Sequence, residues 1–117
     1  MVYALSMPIE SKQTESGIPV VAISGRLTFG RESERLESVV NDLLKQGRNR
    51  LVFDLSALEY ADSSGIGAIV SCVTQIRKSG SNLGMAGVNP RIQRLFKMTG
   101  VDQLLSLYPT VAEAVAG

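Results

Sequence analysis

Between Arg31 and Lys45 the apolar residues Leu36, Val39, Val40, Leu43 and Leu44 recur at three- and four-residue steps, which predicts an amphipathic helix. Glu32, Glu34 and Glu37 suit the positive end of its dipole, Lys45 suits its last turn, and Gly47 ends it. The pattern then changes. Leu51-Val52-Phe53-Asp54-Leu55 is a short, nearly continuous apolar run, the mark of a buried parallel strand. A loop from Ser56 to Ala61 leads to a second predicted helix, Ser63 to about Ser79, closed by Gly80. Leu83 to Val88 reads as a glycine-interrupted apolar strand. Asn89-Pro90 opens a third helix, asparagine as cap and proline at the first helical position, with Ile92, Leu95 and Phe96 as its stripe and Gly100 as its stop. Leu104 to Tyr108 predicts a last strand, and Thr110 to Glu113 has the capping-box spacing of a short terminal helix.

The N-terminal region reads differently. Pro8 to Thr14 is a polar-leaning edge strand, Ser16-Gly17 is turn chemistry, and Ile18 to Ser24 is a β-rich run with Pro19 near its start. Gly25-Arg26-Leu27-Thr28 is then expected as a loop. A strand pair followed by alternating helices and strands predicts an α/β fold, a mixed sheet flanked by helices. With no repeat, linker or low-complexity tract, residues 1–117 are expected to form a single domain.

Composition narrows the chemistry. Hydrophobic residues make up 44% and charged residues 20%, a globular balance, and a net charge of +1 gives no electrostatic case for nucleic acid or an acidic membrane as partner. Met1 to Pro8 carries no signal-peptide pattern, no segment is long and apolar enough to span a bilayer, and the lone Cys72 excludes an internal disulfide. A cytoplasmic location is the expectation. The absence of histidine matters most. It removes a Ser-His-Asp triad, a Cys-His pair and imidazole metal ligands together, so neither a resident metal nor a cofactor is expected. Cys72, beside the apolar stripe of its helix, is expected to pack and not to react.

What remains informative is the turn Asp62-Ser63-Ser64-Gly65. Asp62 is placed to cap the second helix by accepting the backbone N–H of Ser64 or Gly65. Short polar residues collect at helix starts for that reason alone, so capping is the plain alternative to a functional role. The helical wheel argues for more. Ile66, Ile69, Val70, Val73 and Ile76 cluster opposite Ser64, whereas Gly67, Ala68, Ser71, Gln75 and Lys78 share its face. The first turn of that face is small and uncharged, so Ser64 is expected on a low surface suited to a partner's approach. A helix N-terminus also tolerates phosphate, while Asp62 opposes it by like-charge repulsion.

These residues carry a resemblance. Asp54-Leu55-Ser56, followed by Asp62-Ser63-Ser64-Gly65-Ile66-Gly67, is similar to the STAS-domain family, above all to the bacterial anti-sigma factor antagonists. Gly25-Arg26-Leu27, Asn89-Pro90 and Thr99-Gly100 extend the match over essentially the whole chain. The resemblance implies a STAS-like mixed sheet and a phosphate acceptor at Ser64, the serine directly before the glycine. It implies a partner switch, in which the unphosphorylated protein binds an anti-sigma factor that is a serine kinase and so frees a sigma factor. A serine phosphatase would reverse the modification. Partner contacts are implied at Arg26, Thr28, Asp62, Ser63, Ser64, Gly65, Gly67, Ala68 and Ser71, on a monomer or weak dimer. Many family members carry aspartate where this chain has Thr28. Related domains serve as stressosome scaffold subunits or as accessory subunits of lipid-transport ABC complexes, the alternative reading.

Catalysis finds little support. A receiver-type phosphoacceptor at Asp54 lacks an acidic pair after the early strands, which end in Ser24-Gly25-Arg26, and a lysine after the last. A nucleophile elbow needs glycine where Asp62 stands, and Val70 replaces the last glycine of a dinucleotide motif begun by Gly65-Ile66-Gly67. A regulatory protein that is not an enzyme is expected.

Overall fold

The computed structural model describes residues 9–14, 16–28 and 30–117. In chain order the elements are β1 (Ile9–Gln13), β2 (Pro19–Ile23), β3 (Gly25–Leu27), α1 (Arg31–Lys45), β4 (Arg50–Asp54), β5 (Leu58–Ala61), α2 (Ser63–Lys78), β6 (Asn82–Ala86), α3 (Pro90–Thr99), a 3-10 turn (Val101–Leu104), β7 (Ser106–Tyr108) and α4 (Val111–Ala116). Five strands form one sheet in the order β1-β2-β4-β6-β7. Only the β1–β2 pair is antiparallel. This is the expected mixed α/β sheet flanked by helices. Pro8, expected in the first strand, and the stretch read for a signal peptide lie outside the described residues.

Strand alternation sorts the core into two layers. The register aligns Val21 with Phe53, Phe53 with Met85 and Met85 with Leu107, so one row crosses four strands. That face packs beneath α1, α2 and α3 through Leu36, Val40, Leu43, Ile69, Val73, Ile76, Ile92 and Phe96, all buried. Val39, Leu44 and Leu95 complete the predicted helical stripes as half-buried neighbours. On the opposite face Val20, Val52 and Ala86 meet Ala114 of the short α4. Arg50, at the start of β4, donates to the carbonyls of Ala114 and Gly117 and so ties down the end of α4.

The predicted caps form. The Asn89 side chain accepts from the Ile92 N–H at 2.8 Å, Thr110 accepts from the Glu113 N–H at 3.2 Å, and Gly100 closes α3 in the left-handed conformation. Gly47 and Gly80 also take positive φ just beyond their helices.

Three expectations are corrected. Gly25–Leu27 and Leu58–Ala61, read as loops, are strands that pair with each other in parallel as a separate two-stranded ribbon. Long-range pairing with a register shift after Gly25 leaves no local periodicity to announce it. The last strand begins at Ser106, because Val101–Leu104 is wound into a 3-10 turn directly after the glycine stop. The strand expected to reach Val88 ends at Ala86, where Gly87 turns the chain at φ 72° against the backbone of Ser56.

Candidate functional site: the turn that opens α2

The ribbon positions the turn. β5 runs straight into it, so Leu58–Ala61 delivers Asp62 to the start of α2. β3 lies alongside, with Leu27 opposite Ala61, both buried. The Leu27 carbonyl then accepts from the Asp62 N–H at 3.2 Å, fixing the entry angle of the helix. Gly65 sits against the same carbonyl. A Cβ built on Gly65 would stand 2.1 Å from the Leu27 oxygen, so only glycine fits this approach. The Asp62 carboxylate accepts from the Gly65 N–H at 2.7 Å, one of the two partners expected for it.

Ser63 and Ser64 are exposed at the first turn, and Gly67 is exposed one turn below them. Ser71 is half-buried, as are Thr28 and Asp62, while Arg26 is exposed on the ribbon. The structure therefore gathers Arg26, Thr28 and Asp62 to Gly67 around one end of the molecule. Thr28 is held in place by its carbonyl, which accepts from the Ser33 hydroxyl at 2.8 Å. Two residues expected on the docking face are not on it. Gly65 is buried beneath Leu27, and Ala68 is only 5% exposed within the core cluster. Helix α1 packs along α2, which widens the buried arc beyond what a wheel referred to the sheet alone includes.

One residue escaped the sequence reading. Tyr60 is 37% exposed on β5, and the Arg26 guanidinium carbon lies 4.6 Å from its ring centroid. That is a cation–π pair on the outer side of the ribbon. Reading β5 as a loop hid it; the β-formers Leu58 and Tyr60 directly before the turn were the available signal.

Chemically the end is plain. Among the described residues no group of three or more metal-ligating side chains is gathered, and no helix is long and apolar enough to cross a membrane. Cys72 is fully buried, and burial, with the Glu37 carboxylate adding to it, pushes its thiol up to about 12. At neutral pH it is a protonated packing group. The Asp54 carboxylate accepts from both the backbone N–H and the hydroxyl of Ser56, at 3.0 and 2.6 Å. It shapes the loop that leads into β5.

Comparison with known proteins fits this arrangement. The model of the STAS domain matches residues 11–114. The chain belongs to the STAS-domain family. An anti-sigma-B factor antagonist from Staphylococcus epidermidis is 33% identical over 85 residues, 73% of this chain and 78% of that protein. The crystal structure of an anti-sigma factor antagonist from Mycobacterium paratuberculosis superposes with a TM-score of 0.77 at 25% identity, covering 99% and 97% of the two chains. The Bacillus cell fate determinant SpoIIAA, in its phosphorylated form, has the same fold, with a TM-score of 0.75 at 16% identity over 92% of this chain and 96% of that one. Membership of the STAS family, on its anti-sigma factor antagonist side, is as the motifs predict. These relatives are regulatory proteins by name.

Proposed function

We propose that this STAS protein is an anti-sigma factor antagonist whose affinity for its anti-sigma factor is set by phosphorylation of Ser64. One observation carries the reading. Ser64 is exposed at a turn fixed from both sides by the Asp62 cap and the Leu27 carbonyl, with exposed Gly67 a turn below. A hydroxyl so presented is accessible to a kinase, and a bare helix face beside it admits a close partner. The antagonist names of its relatives, and a phosphorylated form among its structural neighbours, support the same assignment.

In this reading the whole chain acts as one cytoplasmic STAS unit, without catalysis of its own. The anti-sigma factor kinase docks over Ser64, Ser63, Gly67, Ser71 and the Arg26–Thr28 end of the ribbon. Gly65 and Ala68 act from below, by shaping the turn. Phosphate adds about −1.5 to −2 charges at neutral pH to a surface that must lose water on docking. Desolvating an unpaired charge costs several kcal/mol, so affinity falls on the order of a hundredfold or more. A serine phosphatase restores binding.

Incubation with the cognate kinase and ATP, followed by peptide mapping, tests the acceptor. Phosphate is expected on Ser64; phosphate mainly on Ser63, or on neither with an active kinase, defeats the assignment. Titration calorimetry against that kinase tests the switch. Ser64→Ala should bind about as well as the parent, Ser64→Asp more weakly, and the phosphoprotein weakest. Equal affinity of parent and phosphoprotein would remove the switch and leave a scaffold or transport-accessory role.

A further inference from the structure

Arg26 and Tyr60 face each other across the ribbon, both exposed on its outer side, while its inner side is closed by Leu27 and Ala61. The geometry of the pair is defined. The guanidinium lies over the Tyr60 ring, and its N–H groups find no acceptor among the described residues. A guanidinium lying over an aromatic face, with no acceptor among the described residues, still has its N–H groups to offer an oxyanion.

Ser64, on the turn that the neighbouring Leu27 carbonyl supports, is an exposed place where this chain could itself acquire such an oxyanion. Leu27 follows Arg26 directly, and its carbonyl touches both ends of the Asp62–Gly65 turn, bonding the Asp62 N–H and abutting Gly65. Those contacts and ordinary backbone dimensions keep the Arg26 and Ser64 Cα atoms within about 13 Å of each other. Two long, exposed groups, an arginine and a phosphoserine, bridge a gap of that order. The charged residues on the elements that flank it are Glu59 on β5, Asp62 at the cap, and Arg31, Glu32, Glu34 and Arg35 in the first turns of α1. The Asp62 carboxylate is engaged with Gly65, and Glu59 follows Leu58 on the same strand as Tyr60.

We infer that Arg26, oriented by Tyr60, is the receptor for the phosphate of phosphorylated Ser64, so that the modified protein closes a bridge across its own docking face. The inference rests on Ser64 being the acceptor. It adds a second consequence to modification: beyond bringing charge, phosphate withdraws Arg26 from the surface a partner meets.

Phosphoserine installed at position 64 by genetic encoding allows a test that needs neither kinase nor partner. Phosphorus NMR titration of the intact phosphoprotein reads the second ionisation of the phosphate. In the parent it should fall at a pH lower by about half a unit or more than in Arg26→Gln. Tyr60→Phe, which keeps the ring, should match the parent, and Tyr60→Ala should lie between the two. Arg26→Lys, a point charge without the planar fork, should recover only part of the effect. The same ionisation in parent and Arg26→Gln, in folded samples, overturns the inference, even if both differ from an unfolded phosphopeptide, because the turn alone would then hold the phosphate. If Ser64 proves never to be modified by any kinase, this measurement still reads the geometry, so the two failures are separable.

Discussion

Helix α2 rests on two supports of different kinds. Its body lies on the five-stranded sheet through Ile69, Cys72, Val73 and Ile76, none of which retains any exposed surface. Its first turn rests on the two-stranded ribbon through polar backbone contacts, the Leu27 carbonyl on one side and the Asp62 cap on the other. Hydrophobic packing is non-directional and scales with area, so the body is held strongly but without fixing one end of the helix to a fraction of an ångström. Hydrogen bonds and a glycine-only approach add little energy yet fix position. The two supports thus divide stability from placement, and the exposed serines stand on the second.

The largest test of that division is Val73→Asp. An unpaired carboxylate placed against the sheet should cost more than about 4 kcal/mol and unfold the chain, seen as loss of a cooperative thermal transition. Thr74→Asp, one residue on but exposed, should shift stability by less than about 0.5 kcal/mol. A folded Val73→Asp protein would mean that the body of α2 is not held as described. Next in size is Gly65→Ala, about 3 kcal/mol, because the added methyl must push the Leu27 carbonyl away and loosen ribbon and turn together. Chemical denaturation measures the cost, and amide exchange at Asp62 and Gly65 should quicken well beyond that in β4.

A pH experiment separates the supports further. Folded Cys72 keeps its proton up to about 12, whereas an unfolded thiol loses it near 9.0. Between those values the native state binds the extra proton, so stability falls as pH rises, by about 1.4 kcal/mol per pH unit from this group. Cys72→Ala should lack that component of the slope; identical slopes would show that the thiol is not shielded by the core. The smallest effects belong to the polar side chains that open the helix. Asp62→Ala should cost about 1 kcal/mol by loss of the cap, and Ser64→Ala about nothing in thermal unfolding. A cost at Ser64 as large as that at Asp62 would place its hydroxyl in the scaffold and not on the surface.

The same division explains what could be read from the chain alone. α1, the body of α2 and β4 are legible because each carries its own period or run, and Asn89 and Thr110 announce their helices by local capping chemistry. The ribbon is not legible. Its strands are three and four residues long, and they meet only because residues far apart in sequence pair. Ala68 is buried although it shares the face of Ser64, because the periodicity of α2 registers the sheet beneath it and not the other elements that pack on the helix, α1 among them. The Asp62 cap and the exposure of Ser64 are legible from motif and wheel, whereas Tyr60 owes its place to the ribbon and stays hidden with it.

That ribbon also sets when the Asp62–Gly65 turn comes into existence. Gly25 pairs with Leu58 and Leu27 with Ala61, more than thirty residues apart, so the support of Asp62 and Gly65 exists only when the chain between them, α1 and β4 included, is closed into a loop. A chain that has not yet closed that loop contains the Asp-Ser-Ser-Gly sequence without its shape. An enzyme that recognises the shape therefore modifies finished molecules and passes over incomplete ones.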